Sequence, residues 1–184
     1  MQVKKLNKPC NTRDMEVLCA VPYNQELSYF YFSSSEEYEV KLQAAKQIDL
    51  IEHFCGDFEH EVQYIDGDTG SQELFDKCSS VEEYFEIIDE IQYQSGEKLA
   101  AFQYLIDCLH KNPNDALAYI DDIHITTDSI EDYAHDLIQE MELPDIAKQY
   151  FDYQSYGRDL EINGEICTFE FNGTQYLITN SNAY

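Results

Sequence analysis

LPDIAKQYFDYQSYGRDL, residues 143–160, is the stretch on which the reading of this chain turns. Pro144 suits the first turn of a helix expected over Leu143 to Tyr156, since the missing N–H costs nothing there. Tyr150, Phe151, Tyr153 and Tyr156 crowd that helix, and Arg158 is one of only two arginines in the chain. On the residues alone, the rings read as core, Gly157 as a left-handed C-cap, and Arg158 with Asp159 as a local pair. Two strands follow, Cys167 to Phe171 and Gln175 to Thr179, joined through the hairpin signal Asn172-Gly173. A helix feeding a hairpin gives an α+β fold class.

Upstream, Ile123 to Thr126 suits a short strand, and Asp128 with Glu131 suggests a capping box. The helix it opens would bury Ile130, Tyr133, Ala134, Leu137, Ile138 and Met141 and expose Glu131, Asp132, Asp136 and Glu140. Asn112 and Pro113 start another helix that ends near Asp121 and Asp122, where the helix dipole disfavours negative charge. A helix over about 97–110 buries Leu99, Phe102, Leu105, Ile106 and Leu109. In the segment 79–92, SSVEEYFEIIDEIQ, Ser80 and Glu83 form a capping box and Val81, Tyr84, Phe85, Ile88 and Ile91 an apolar stripe.

Nearer the N-terminus, Glu16 to Val21 and Leu27 to Phe32 read as a hairpin turned at Pro22 and Asn24. Ser33 to Ser35 caps a helix from Glu36 to about Leu50, with Val40, Ala44 and Ile48 as its apolar face. Glu61 to Ile65 is a third strand ended by Asp66, Gly67 and Asp68. Residues 1–14 hold Lys4, Lys5, Lys8 and Arg13 and suggest an arm or edge strand. Three small domains are expected, an α+β unit over 1–70, an acidic helical middle over 71–123, and an α+β unit over 124–184.

Charge is the second decisive property. The 37 acidic and 11 basic residues leave a formal charge of −26 and a pI near 4.1. Such a chain repels bare nucleic acid and anionic membranes. A small domain needs only about 2 to 8 net charges to stay dispersed, so an added cause is called for. From Leu50 to Glu142 the only lysines or arginines are Lys77, Lys98 and Lys111. Glu82, Glu86 and Glu90 stand at i, i+4 and i+8 with Glu83 and Asp89 beside them, an arrangement that costs a few tenths of a kcal/mol per like pair. A 43% hydrophobic content with ten Phe and 15 Tyr argues for a folded core.

Motifs of catalysis are missing, with no Gly-rich phosphate loop, no GxSxG and no assignable nucleophile and base, so no enzyme, catalytic residue or cofactor is expected. His53, Cys55 and His60 lack the spacing of a zinc site. Asp66, Asp68 and Gly70 begin like a calcium loop, but Lys77 occupies the position that needs a bidentate Glu. Six scattered cysteines without a CxxC read as reduced thiols. With no apolar run for a signal peptide or membrane span, a cytoplasmic protein is expected.

Residues 150–160, YFDYQSYGRDL, led by Leu143 and Pro144, resemble the antirestriction motif of the ArdA family, small acidic proteins of phages, plasmids and conjugative elements. Asp145, Gln154 and Ser155 depart from the usual Glu, Glu and Ala. The resemblance implies a curved, elongated molecule of three small domains that dimerises through its C-terminal part and imitates bent B-form DNA. It further implies a bacterial host cell and occupation of the DNA-binding groove of type I restriction-modification enzymes, without direct nucleic-acid or membrane binding. The acidic surface would comprise Asp66, Asp68, Glu82, Glu83, Glu86, Asp89, Glu90, Asp121, Asp122, Asp128, Glu131, Asp132, Asp136 and Glu140. The motif and homodimer interface would comprise Tyr150, Phe151, Asp152, Tyr153, Tyr156, Gly157, Arg158 and Asp159.

Duplex DNA carries one charge per about 1.7 Å, so 26 charges match roughly 44 Å of duplex per chain. Two alternatives use the same acidity, inhibition of another nucleic-acid-binding defence such as a CRISPR effector, and an acidic chaperone or adaptor for a basic protein. A chaperone favours a tail-like patch, whereas Asn180 to Tyr184 carries no charged side chain.

Overall fold

A computed structural model describes residues 16–52, 58–67 and 71–183. The arm expected over 1–14, His53, Cys55, Asp68 and Gly70 lie outside the described residues. Among those described are eight α-helices and two three-stranded antiparallel sheets, an α+β fold. Contacts divide the chain into two compact units, residues 1–93 and 94–184.

In the first unit β1 (Val17–Pro22) lies between β2 (Phe30–Phe32) and β3 (His60–Asp66). Leu18 pairs with Phe32 on one side and Tyr64 on the other, and Leu18 to Ala20 are the residues of β1 paired on both sides. Between Val17 opposite Asp66 and Leu18 opposite Tyr64, Ile65 is the extra residue of a bulge, and it turns outward. The turn after β1 is held by Asn24, whose side-chain carbonyl accepts from the Glu26 N–H at 3.1 Å.

The helix α1 (Ser35–Glu52) begins with a capping box. Ser34 Oγ accepts from the Glu37 N–H at 3.1 Å, and Glu37 Oε2 accepts from the Ser33 N–H at 2.7 Å. Its buried face departs from the expected one. Val40 is 70% exposed, Ala44 and Ile48 are also exposed, and Leu42 and Asp49 are buried instead. Apolar residues surround this helix, so periodicity cannot choose its inner face. Tyr38 chooses it, because its ring packs on Phe32 at 4.7 Å and on Phe30 at 6.4 Å.

Two further helices complete this unit, α2 (Gln72–Lys77) and α3 (Val81–Ile91). The stripe Val81, Tyr84, Phe85, Ile88 and Ile91 is buried as expected, together with Ile87. Tyr84 is the centre of an aromatic cluster with Tyr64, Phe75 and Phe85. Its hydroxyl donates to the buried Glu16 carboxylate at 3.0 Å, and burial pushes its pKa upward, helped by that carboxylate.

The second unit is a three-layer arrangement around the sheet β4 (Ile125–Thr126), β6 (Thr174–Ile178) and β5 (Cys167–Phe171), in that order. Asn172 (φ 49°) and Gly173 (φ 74°) make the two-residue turn of the β5–β6 hairpin in the left-handed region. One sheet face, carrying Phe169 and Tyr176, is covered by α4 (Gly96–Asp107), whose Tyr104 ring meets Phe169 edge-on at 5.7 Å. Ala100, Ala101, Phe102, Tyr104, Leu105 and Ile106 are buried, so α4 is enclosed nearly all round, with Leu99 and Leu109 only half-buried. The short α5 (Pro113–Tyr119) packs beside it, capped by Asn112 accepting from the Asp115 N–H at 2.8 Å.

On the other sheet face, Leu177, Leu160 and Ile166 form a core with Ile130, Tyr133, Leu137 and Tyr156. These come from α6 (Ile130–Glu140) and α8 (Tyr153–Ile162) as well as the sheet. Ser129, one residue beyond the expected Asp128, caps α6, with its Oγ accepting from the Asp132 N–H at 3.1 Å. Asp128 is engaged elsewhere, accepting from the Thr126 hydroxyl at 2.7 Å. Met141, expected inside, is exposed beyond the last turn.

The single helix expected over 143–156 is two, α7 (Asp145–Gln149) and α8. Asp152 breaks it by acting as the α8 N-cap, accepting from the Ser155 N–H at 3.0 Å and the Ser155 hydroxyl at 2.8 Å. Tyr153 bridges the break, its hydroxyl donating to the Lys148 carbonyl at 2.6 Å. Gly157 is therefore interior to α8, and the left-handed cap is Gly164 (φ 73°). There the Glu165 N–H reaches the Leu160 carbonyl at 2.9 Å and the Gly164 N–H the Glu161 carbonyl at 3.0 Å, a Schellman closure.

Candidate functional site

Two features compete for function, acidic helix faces in each unit and the aromatic segment of residues 150–159. On α3, Glu82, Glu86, Asp89 and Glu90 are exposed opposite the buried stripe. Glu83 is half-buried because its carboxylate accepts the Ser79 N–H at 2.6 Å and the Ser79 hydroxyl. These bonds, led by the hydroxyl, hold its pKa below the usual carboxylate value. Asp66 in the same unit is exposed, and its Oδ1 accepts from the Gly67 N–H at 3.0 Å.

In the second unit Asp121, Asp122, Asp128, Glu131, Asp132, Asp136 and Glu140 are all exposed. Asp132, Asp136 and Glu140 repeat on α6 the i, i+4, i+8 spacing of Glu82, Glu86 and Glu90 on α3. Every described member of the sequence-derived acidic set therefore stands at the surface, Glu83 partly. Helix geometry gives these rows a density. Eleven residues of α3 rise about 16 Å, so its five carboxylates average one per roughly 3.3 Å, close to the 3.4 Å phosphate spacing of one DNA strand. On α6, four carboxylates over eleven residues average one per roughly 4 Å.

Several cations are tied up locally. Lys98 pairs with Asp121. Lys41 donates to Glu37 and to the Tyr31 carbonyl, each at 2.6 Å. Lys148 donates to the Gln139 carbonyl at 2.7 Å, and Lys111 lies over the Tyr119 ring at 5.2 Å. Of these, Lys148 lies against the last turn of α6, where Glu140 ends the acid row.

The aromatic segment is assembled around the α7–α8 break. Phe151 packs against Tyr153 at 5.3 Å and edge-on against Tyr156 at 5.5 Å, and His135 of α6 lies 4.9 Å from the Tyr153 ring. Tyr150, read as core, is 80% exposed, and Leu143, Met141 and Ile146 nearby are exposed too. Hydrogen bonds from Ser155, first from its N–H, hold the Asp152 carboxyl below its usual range. Gly157 is where α8 touches α6, since a Cβ there would lie 2.4 Å from Ile130 Cγ2 and 3.0 Å from the Ile130 carbonyl oxygen. Arg158 and Asp159 are exposed, and Arg158 lines a cleft of about 510 Å³ with Gln154, Glu161, Thr168 and the start of α6.

Sequence reasoning missed Ser129 as a cap and Gly164 as a stop, and placed Ile130 inside without its contact to Gly157. The Ser129-x-x-Asp132 spacing carried the cap signal, and Gly164 just past a periodic stretch carried the stop signal. The closeness of Ile130 to Gly157 has no local signature. Among the described residues no three His, Cys, Asp or Glu side chains gather as a metal site. His60 instead lies 2.9 Å from the Tyr38 hydroxyl and 2.8 Å from the Phe58 carbonyl.

Fold and surface thus define a small acidic α+β protein that displays a carboxylate row on a packed helix of each unit and, in the second unit, a half-buried aromatic segment with Tyr150 exposed. The chain belongs to the ArdA family of antirestriction proteins, whose family model matches residues 25–173. An antirestriction function and a restriction-modification enzyme as target are what that membership implies. No individual curated protein matches the sequence. No helix among the described residues is long and apolar enough to cross a membrane.

Proposed function

We propose that this protein is a DNA mimic that occupies the DNA-binding groove of a type I restriction-modification enzyme and thereby inhibits it. The observation that carries this reading is the pair of carboxylate rows on α3 and α6, whose axial charge density approaches that of a single DNA strand. The carboxylates are fixed by folded helices, so a groove of Lys and Arg meets a preformed polyanion and encounter is electrostatically steered. The protein acts in the bacterial cytoplasm, binds no nucleic acid itself and carries out no reaction. It works as a homodimer, with the exposed side chains of Ile146 and Tyr150 as the apolar part of the interface.

The test is competition between this protein and a short duplex for a type I enzyme at low and high salt. Displacement of the duplex, with apparent affinity falling steeply as salt rises, is the expected result. Failure to displace DNA at either salt overturns the reading and directs the search to CRISPR effectors or to basic proteins in need of an acidic chaperone.

A further inference from the structure

Among the described strands β5 ends one side of the sheet β4–β6–β5, so it is laddered on one side only. The two-residue turn at Asn172 and Gly173 makes Phe171 and Thr174 a hydrogen-bonded pair, and alternation puts Phe169–Tyr176 and Cys167–Ile178 in the same class. The far side of β6 agrees, since the Thr179 N–H reaches the His124 carbonyl at 2.9 Å and Leu177 pairs with Thr126 of β4. On β5 the N–H and C=O groups of Thr168 and Glu170 therefore point away from β6. Among the described residues these groups have no backbone partner, and the Thr168 carbonyl meets the Cys167 Sγ at 3.5 Å.

An open strand edge is normally blunted by Lys, Pro or a bulge. The β5 sequence, CTFEF, has neither residue, and its register with β6 is continuous. Charge is low here as well. Cys167 to Tyr184 carries Glu170 as its one charged side chain, in a chain of −26. A second copy of this polyanion therefore meets less repulsion at the β5 edge than along the acid row of α3 or α6.

We propose that β5 pairs antiparallel with β5 of a second copy about a two-fold axis at Phe169, joining the three-stranded sheets of two chains into one. This inference rests on the homodimer of the reading above and assigns its hydrogen-bonded contact. In that register Thr168 of each chain exchanges both its N–H and its C=O bonds with Glu170 of the other, and Phe169 stands opposite Phe169 at the closely spaced position between those bonds. Glu170 then faces a threonine. An axis at Glu170 would instead set two like charges opposite each other, and an axis at Thr168 would need Ile166, outside the strand, to supply the outer bonds. The contact uses every outward backbone group of Thr168 and Glu170 and leaves the acid rows free for the target.

The experiment combines sedimentation equilibrium with residue-resolved amide hydrogen exchange on the full-length protein over a range of concentrations. The expected result is a dimer in which the Thr168 and Glu170 amides are protected and exchange about tenfold faster, or more, after dilution to monomer. Glu170→Pro removes an N–H that the monomer leaves unbonded at a sheet edge, where proline is tolerated, so it is expected to weaken dimerisation about tenfold or more with the helical circular dichroism unchanged. A wild-type dimer whose Thr168 and Glu170 amides exchange fast at every concentration overturns the β5 pairing, whatever the variant does, and leaves the homodimer standing. A protein that stays monomeric at the highest concentration reached overturns both. Neither outcome depends on the duplex competition, which tests DNA mimicry by itself.

Discussion

Gly157 shows how much one missing carbon decides. Alanine normally favours a helix interior over glycine by about 1 kcal/mol. Here the added Cβ would press on Ile130 Cγ2 at 2.4 Å, a methyl on a β-branched side chain with little rotamer freedom. Overpacking of this kind costs about 1–3 kcal/mol, so Gly157→Ala is expected to destabilise the protein despite its higher helix propensity. Urea unfolding of Gly157→Ala alone and with Ile130→Ala measures it, the second change restoring part of the loss beyond its own effect. Equal or greater stability of Gly157→Ala would mean that α6 and α8 are not held at this distance. The motif glycine was legible in the sequence as special, but its reason was misread, because a left-handed cap and a helix–helix contact both call for glycine. Only the position of Ile130 separates them.

At the scale of elements, the acid rows on α3 and α6 were legible because amphipathic periodicity places both faces at once. Once Val81, Tyr84, Ile88 and Ile91 are inside, Glu82, Glu86 and Glu90 must be outside. A distributed field does not depend on any single member. Glu86→Gln is therefore expected to weaken inhibition less than about threefold, while changing Glu82, Glu86, Glu90, Asp132 and Asp136 together to Lys abolishes it with the helical circular dichroism unchanged. Inhibition curves for the two variants decide the matter, and loss of activity in Glu86→Gln alone would point to a local site. The α1 helix teaches the opposite lesson. Its apolar residues lie on several sides, and the face formed by Val40, Ala44 and Ile48 points outward because Tyr38 is drawn to Phe30 and Phe32. Periodicity orients a helix only when the polar side is as clear as the apolar one.

For the molecule as a whole, two compact units meet in sequence at residues 93 and 94. Tyr93 is 86% exposed in the turn that follows α3, which offers a protease an open site. Limited proteolysis is expected to cut first within Gln92–Ser95 and leave two protected halves, read by mass spectrometry of the fragments. Additional early cuts near residues 70 and 123 would be the mark of a third, separately folded middle segment. The sequence by itself determined the α+β class, the solvent-facing carboxylates and the antirestriction family, since each follows from local periodicity, turn chemistry or a short contiguous motif. Tertiary structure alone decided which face of α1 is buried, that the single helix expected over 143–156 is two, and that Gly157 meets Ile130. Those outcomes depend on contacts between residues far apart in the chain, and no local pattern of hydrophobicity or charge encodes them.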